Sequence, residues 1–381
     1  MTTSGGGSVS PYQTRTGRKW ECRWRDDQGA SKRKKGFDTK KAATLWLAEN
    51  RVQRATGTYI DESAGRVTVG TLWETFIAAK EVEVKATTAS KVRFSWSTYV
   101  EKRWGGVQVR AVKTSAVRLW VAELQRAGVG PATIETALNT LRGCIEVAVE
   151  DHLVARNVAS GVKAPRRNST ERTYLDASQV RLLADEMPDH LSATVVWWLC
   201  LTGTRWGEMA ELRVRDLQTL RCRASIERAM AEVEGVATVS TPKTSEVRQI
   251  AYPQSLSADL ARLMEGRGRD ELVFSRDGRT YLRVANFRRR VWYPAVERCQ
   301  QVDPLFPRLN PHGARHTAAS LMIQSGASIK VVQRQLGHAS AAMTLDQYGH
   351  LYEDDLDEVA GRLDRVRCGL GVASTVSGAL G

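Results

Sequence analysis

The stretch that decides the fold of this chain runs from Asn310 to Tyr352 and reads NPHGARHTAASLMIQSGASIKVVQRQLGHASAAMTLDQYGHLY. The chain of 381 residues has only 6 histidines, and four of them lie in this stretch. Guanidinium, imidazole and phenol side chains are therefore concentrated in one short segment. They belong to His312, Arg315, His316, His338, Tyr348, His350 and Tyr352.

Three short helices are predicted across this stretch. Pro311 marks the start of the first helix, because proline is tolerated in the first helical turn. His312 and Arg315 lie three residues apart and share one helical face. His316, four residues after His312, could share that face as well. A glycine ends each of the first two helices, and the third segment carries Tyr348.

Several kinds of chemistry are compatible with these residues. The histidine and arginine of the first helix could be surface residues, with the tyrosine packed in a core. Two histidines four residues apart could bind zinc, but the metalloprotease pattern needs glutamate after the first histidine, where Gly313 stands. Anion chemistry uses the whole set, because an arginine fork suits phosphate oxygens and a phenol can be a covalent nucleophile. The stretch therefore predicts phosphoryl transfer without a metal.

The motifs HGARHT, LGHAS and TLDQYGHL resemble the C-terminal signature of the tyrosine recombinases, the phage integrase family. Upstream, the sequence TGTRWGE resembles the first motif of that family and contributes Arg205. Glu208 follows three residues later on the same helical face, where it could orient basic side chains. The family also places a lysine in a β-turn, and Lys243 in the sequence PKTS is the candidate. The resemblance covers about residues 60–365.

The resemblance implies DNA strand transfer by transesterification. Tyr348 would attack the scissile phosphate, giving a 3′-phosphotyrosyl link and a free 5′-hydroxyl. Arg205 and Arg315 would hold the non-bridging oxygens and stabilise the developing charge. Because the phosphotyrosyl bond conserves the energy of the diester, neither a cofactor nor a metal is implied.

Proton transfer in this scheme would fall to two further side chains. Lys243 would protonate the leaving hydroxyl, and His312 would move the proton of the tyrosine. His338 would donate a hydrogen bond to the phosphate. His316 and His350 are interpreted as structural.

Composition supports a polyanionic partner. The chain carries 56 Lys and Arg against 42 Asp and Glu, a formal net charge of +14, which favours nucleic acid over a membrane surface. The longest apolar run, from Val195 to Leu201, is far too short to span a bilayer. The 6 cysteines are scattered and form no zinc framework, as expected of reduced thiols in a cytosolic protein.

The N-terminal residues predict a small basic module. Three strands are expected at Ser10–Arg15, Lys19–Arg25 and Ser31–Phe37, followed by a helix over Lys40–Arg54. In the second strand apolar residues alternate with Glu21 and two arginines, so one face should be apolar. A sheet of this size could lie in a DNA groove, or it could be a solvated hairpin. The resemblance implies binding to arm-type DNA sites.

Residues 69–151 predict a helical domain. The first helix is expected from Val69 onward, with Leu72, Phe76 and Ile77 in one segment. Further helices are expected over Thr88–Val100, Ser115–Arg126 and Pro131–Asp151. Asn157 to Thr173 is interpreted as a linker that lies on DNA. In the last domain, Ala224–Ala229, Val236–Thr241 and Val247–Tyr252 are predicted to form one three-stranded antiparallel sheet.

The predicted fold class is multidomain and mainly α. An N-terminal module of three strands plus a helix, binding arm-type DNA, is expected at 1–58, and a helical core-binding domain at 67–165. A mixed α+β catalytic domain with a small antiparallel sheet is expected at 174–368, followed by a tail at 369–381. The candidate DNA-contacting side chains are Arg23, Lys32, Arg33, Lys34, Lys35, Lys91, Arg166, Arg167, Arg288 and Arg289.

The most concrete hypothesis is a phage or mobile-element integrase of a bacterial host. Its expected partners are double-stranded DNA attachment sites, a homotetramer formed on DNA, an excisionase and a host DNA-bending protein, and it would act in the cytoplasm at the nucleoid. A type IB topoisomerase, a chromosomal resolving recombinase and a catalytically inactive DNA-binding regulator are the alternatives.

Overall fold

The computed structural model describes residues 7–25, 29–55, 66–166, 173–240, 247–349, 351 and 356–367. The chain divides into two compact units, residues 1–168 and 169–381. Both are mainly helical with small antiparallel sheets, which confirms the predicted fold class.

The first unit opens with a three-stranded antiparallel sheet, β1 (Ser8–Thr14), β2 (Gly17–Arg25) and β3 (Ser31–Phe37). The strands lie in sequence order, and Thr14 pairs with Gly17, so a two-residue turn joins β1 to β2. Helix α1 (Lys40–Ala55) packs on the sheet. Its Trp46 ring lies 5.0 Å from that of Trp24, which gives this module an aromatic core.

The expected alternation in β2 is wrong at one point. A register shift lies between Trp20 and Glu21, where the sheet is irregular. Consequently both Glu21 and Cys22 are buried, although two consecutive residues of a regular strand would face opposite sides of the sheet. The Glu21 carboxylate pairs with Arg23 at 2.7 Å and lies 3.8 Å from Lys35, so part of the basic charge of this sheet is already compensated.

A helical bundle follows in the same unit. Trp73 and Trp96 stack with parallel rings 4.5 Å apart at its centre, beside the fully buried Leu138 and Leu141. One π-helical turn at Trp96–Val100 interrupts the second long helix. The helices are α2 (Val69–Glu83), α3 (Ala86–Ser95), α4 (Glu101–Trp104), α5 (Thr114–Arg126) and α6 (Pro131–Glu150).

The segment after α6 differs from the predicted linker. Arg142 on α6 donates from Nε to the carbonyl of Ala159 at 3.0 Å, and its own carbonyl accepts from Asn157 Nδ2 at 2.9 Å. Val162 is buried in the same core. Residues from Asn157 to Val162 therefore belong to the helical bundle. The Ala159 carbonyl accepts a hydrogen bond from α6, and the side chains of Ala159 and Val162 are buried in the core of the bundle.

The second unit is built around α8 (His190–Thr202), which is apolar on nearly all sides and buried against its neighbours. Helix α7 (Ala177–Asp185) begins with a capping box between Asp176 and Gln179. The remaining helices before the C-terminal region are α9 (Trp206–Ala210), α10 (Ser257–Met264), α11 (Val284–Phe287) and α12 (Tyr293–Val302), with a π-helical turn at Arg288–Trp292.

The sheet of the second unit is not the single one predicted. Strands β4 (Leu217–Gln218), β5 (Arg223–Ile226) and β8 (Arg248–Ala251) form one ladder. Strands β6 (Ala229–Val233) and β7 (Val236–Ser240) form a separate hairpin. The segment starting at Val236 pairs with its immediate neighbour because the tight turn at Glu234-Gly235 returns the chain directly.

Four helices complete the described part of the chain: α13 (Gly313–Gln324), α14 (Ile329–Leu336), α15 (Ala341–Tyr348) and α16 (Leu356–Arg367). Helix α13 packs along α8. It begins two residues later than predicted, because the Asn310 side chain accepts from the backbone N–H groups of His312 and Gly313. Among the described residues, no helix is long and apolar enough to cross a membrane.

Candidate active site

Arg205 lies between α8 and α9. Helix α8 ends at Gly203, whose φ of 68° is left-handed and favours glycine. The chain then turns, and Trp198 Nε1 holds the turn by donating to Thr204 Oγ1 at 2.9 Å. Arg205 occupies the position before α9, where its backbone N–H and its Nη1 both donate to Glu208, at 2.9 and 2.8 Å.

Glu208 is also the partner of a second arginine. Arg248, at the start of β8, donates to both carboxylate oxygens, at 3.1 and 2.7 Å. The Glu208 side chain is 1% exposed. Burial alone would raise the pKa of its carboxyl, but hydrogen bonds and charge from Arg248, with those from Arg205, outweigh burial and leave this pKa below its usual range. Glu208 is therefore ionised at neutral pH and fixes two guanidinium groups.

Arg315 comes from α13 and is 5% exposed. It donates from Nη1 to the carbonyl of Gly203 at 2.5 Å and from Nη2 to the carbonyl of Leu336 at 2.8 Å. Burial, and then the charge of Arg205, lower its pKa to about 10, so it stays cationic at neutral pH. Arg205 donates to the next carbonyl after Leu336, that of Gly337, at 3.4 Å. The two arginines therefore meet at the ends of α8 and α14.

Gly337 has to be a glycine. Its φ of 68° is left-handed, and a Cβ added there would lie 2.7 Å from Arg248 Nε. The glycine of the LGHAS motif thus allows the guanidinium of Arg248 to approach the backbone of the α14 terminus.

His338 follows directly and is 9% exposed. A hydrogen bond joins its Nδ1 to Thr344 Oγ1 at 3.0 Å. Burial, reinforced by the charges of Arg315 and Arg205, lowers the pKa of His338 to about 4. The ring is therefore neutral at physiological pH, so it can donate one hydrogen bond to an anion without carrying charge itself.

Tyr348, on the last turn of α15, is 1% exposed. A hydrogen bond of 2.8 Å joins its phenol oxygen to Nδ1 of His316 on α13. The rings of His338 and Tyr348 are parallel, with centroids 6.5 Å apart. The phenol therefore lies beside both imidazoles and close enough to Arg315 for the two side chains to interact electrostatically.

The two histidines at the start of α13 differ in their surroundings. His312, expected to move the proton of the tyrosine, is exposed and contacts the His316 ring edge-on at 5.5 Å. His316, expected to be structural, is the histidine whose ring nitrogen contacts the phenol. The HxxxH spacing was the signal for His316, but spacing alone does not say which of two histidines on one face points at α15.

Several predicted residues lie elsewhere or outside the described residues. Lys243, Arg167, His350 and Tyr352 fall outside the part of the chain that the structure describes. Lys91 is exposed on α3, Arg166 is exposed after the helical bundle, and Arg288 and Arg289 are exposed on the π-helical turn. The remaining candidates lie on the N-terminal sheet, where Lys32 and Lys34 are half-buried and Arg23, Arg33 and Lys35 are exposed.

Arg248 is the member of the site that sequence inspection missed. It lies 40 residues after Glu208, and nothing in the local pattern distinguishes it from other strand arginines. Within the described residues, no group of three or more histidine, cysteine or acidic side chains is arranged to hold a metal ion.

Residues 173–354 match the phage integrase family. This part of the chain is a domain of the phage integrase family of tyrosine recombinases. It is a tyrosine-type site-specific recombinase, as the sequence motifs predicted. The matched range contains every residue of the arginine, histidine and tyrosine cluster described above.

Relatives of this recombinase are known along most of its length. It is 23% identical to the ICEBs1 integrase of Bacillus subtilis, over 78% of this chain and 83% of that one. It is 26% identical to the phiRv2 prophage integrase of Mycobacterium tuberculosis, over 87% of this chain and 88% of that one.

Solved structures show the same fold. One is the Tn1549 transposon integrase in complex with transposon right end DNA, with a TM-score of 0.65, 18% identity and coverage of 79% of this chain and 100% of that one. Another is a lambda integrase tetramer bound to a Holliday junction, with a TM-score of 0.54, 16% identity and coverage of 87% and 96%.

Proposed function

We propose that this recombinase integrates a phage or other mobile element into a bacterial chromosome, with Tyr348 as the nucleophile that becomes linked to the DNA 3′-phosphate. One observation carries the proposal: the phenol oxygen of Tyr348 lies within hydrogen-bond distance of an imidazole and beside the buried Arg315. The mobile-element assignment draws on the ICEBs1 and phiRv2 integrases among its relatives.

Arg205 and Arg315 are the proposed binders of the scissile phosphate. Both guanidinium groups are held by protein acceptors before DNA arrives, so their orientation costs little reorganisation when charge develops on the phosphate. Neutral His338 would donate from Nε2, because its Nδ1 is engaged with Thr344. Lys243 is the proposed acid for the 5′-oxygen that leaves. The diester energy is kept in the phosphotyrosyl bond, so the proposed reaction requires neither nucleotide cofactor nor metal.

The proposed partner is double-stranded attachment-site DNA, cut by a homotetramer assembled on it. Two duplexes must be cleaved and exchanged, which requires four nucleophiles in a closed arrangement. The related Tn1549 and lambda integrases are described in complexes with DNA and, for lambda, as a tetramer on a Holliday junction. An excisionase and a host DNA-bending protein are proposed as accessory partners, and the cytoplasm, at the nucleoid, as the location.

The proposed division of labour follows the modules. Residues 1–58 would bind arm-type DNA, residues 67–165 would bind the core site, and residues 174–368 would carry catalysis, with 369–381 as a tail. The separate core of the N-terminal sheet and α1 supports the first boundary. The contacts of residues Asn157–Val162 with α6 support the end of the second.

A suicide substrate, in which a nick beside the scissile phosphate lets the cut fragment diffuse away, tests the nucleophile. Wild type and Tyr352→Phe should form a covalent protein–DNA adduct. Tyr348→Phe should bind the same DNA with near-normal affinity and form none, because it loses the phenol oxygen and little else. An adduct retained by Tyr348→Phe, or lost only in Tyr352→Phe, would show that Tyr348 is not the nucleophile. No adduct with any attachment-site candidate in wild type would reject the proposed function.

A further inference from the structure

We infer that His316 is a catalytic residue: its Nδ1 accepts the proton of Tyr348 as the phenol attacks the phosphate. The inference rests on the proposed function and assigns a role that the sequence had given to His312. It is carried by the 2.8 Å hydrogen bond between the two reacting atoms.

The position of His316 suits proton transfer. It lies one residue after Arg315, so the same turn of α13 presents a phosphate-binding guanidinium and the imidazole. The ring is half-buried, and its centroid is 5.8 Å from that of the phenol at an inter-ring angle of 56°, which is not a stacking contact. Its approach to Tyr348 is therefore through the nitrogen and oxygen atoms.

The other titratable and charged groups around the phenol are less suited to take the proton. Arg315 on α13, Arg205 before α9 and Arg248 on β8 are cations and cannot accept one. The carboxylate of Glu208 is saturated by two of these arginines. His338 faces the phenol ring to ring at 6.5 Å, with Nδ1 on Thr344. His312 contacts the His316 ring edge-on, with the ring centroids 5.5 Å apart.

The step balances without a further reactant. The O–H bond of Tyr348 breaks as its oxygen forms a bond to phosphorus, and the proton moves to Nδ1 of a neutral His316 that carries its hydrogen on Nε2. The bond from phosphorus to the 5′-oxygen breaks, and that oxygen receives a proton from Lys243, the proposed acid. In religation the imidazolium of His316 returns its proton to the phenolate that leaves.

The decisive comparison is between His316→Asn and His312→Asn. Asparagine keeps a polar atom close to the position of Nδ1 but cannot become protonated near neutral pH. We expect His316→Asn to slow single-turnover adduct formation on the nicked substrate by about 100-fold or more, the usual contribution of a general base. A larger loss in His312→Asn than in His316→Asn would place the proton on His312 and contradict the inference. DNA binding and thermal unfolding should be unchanged in both, and His316→Gln provides a second variant if the first is unstable.

A substrate with sulfur in place of the 5′-bridging oxygen separates base from acid. A thiolate leaves without protonation, so this substrate should relieve the defect of Lys243→Ala and should not relieve that of His316→Asn. If this substrate restored adduct formation by His316→Asn, His316 would be the residue that protonates the leaving group, and the inference would be overturned. Adduct formation by His316→Asn and His316→Gln at the wild-type rate would also overturn it while leaving the proposed function intact, whereas an inactive wild type would remove both.

Discussion

The carboxylate of Glu208 accepts hydrogen bonds from Arg248 on both of its oxygens, at 3.1 and 2.7 Å, although the two residues lie on different elements 40 positions apart. The same carboxylate accepts from Arg205 at 2.8 Å. One buried anion therefore sets the orientation of two cations next to Arg315. Within this cluster the negative charge is engaged by the arginines of the protein itself.

Replacing this carboxylate tests that role. Glu208→Gln should destabilise the protein by about 3–5 kcal/mol at neutral pH, because it leaves the partly buried guanidinium groups of Arg205 and Arg248 without their counter-charge. Urea unfolding followed by tryptophan fluorescence measures the change. Glu232→Gln is the matched control: its pair with Arg283, at 3.6 Å, is partly exposed and should cost less than about 1 kcal/mol. Equal costs for the two variants would contradict a structural role for Glu208.

The same pair predicts a pH dependence. Because the folded pKa of Glu208 is lowered, the unfolded chain takes up a proton first as pH falls. The contribution of Glu208 is thus fully present above its unfolded pKa of about 4.3 and is lost as pH falls through the lower folded value. The difference in unfolding free energy between wild type and Glu208→Gln should shrink over that acid range.

His338 should titrate far from an ordinary histidine. With its pKa lowered to about 4, we expect its ring to stay neutral in the free protein down to about that pH, as followed by NMR with His338→Gln for assignment. Its contribution to stability is complete above the unfolded pKa of about 6.5 and is lost as pH falls from there through 4. Phosphate near Nε2 should move the midpoint upward, and a midpoint near 6.5 without DNA would contradict the burial of this ring.

DNA affinity should fall steeply with salt. The net charge of +14 predicts many phosphate contacts, each adding about −0.9 to the slope of log affinity against log salt on B-DNA. Arg288→Gln and Arg289→Gln should each reduce that slope by about one on core-site DNA. Arg298→Gln is the control, because Arg298 Nε is paired with Glu186 at 2.9 Å. A slope near zero in wild type would reject the assignment of DNA as partner.

Deleting residues 1–60 should separate cleavage from integration. The sheet β1–β3 and α1 form their own aromatic core, with Trp46 packed between Trp24 and Phe37. The truncated protein should therefore keep adduct formation on a core-site suicide substrate and lose integration that depends on distal sites. Integration at the full-length rate would show that the module is dispensable, and complete loss of core cleavage would show that it is no separate module.

Local pattern was enough for most helices. The bounds of α5 and α6 fall within a residue of the prediction, because apolar periodicity and the flanking glycines and proline are local signals. The pairing of strands was harder. Val236 and Val247 both begin plausible strands, but the chain pairs Val236–Ser240 with the preceding strand, a choice made by the turn between them and not by strand propensity.

The sequence by itself determined the kind of chemistry, since the arginine, histidine and tyrosine motifs and their order along the chain are properties of the primary structure. Only the tertiary structure decided which side chains meet. It paired Glu208 with Arg248 and placed Nδ1 of His316 against the phenol of Tyr348. Helical spacing states which residues share a face, but the packing of α13 and α15 determines which of them reaches across, and that packing depends on contacts far apart in sequence.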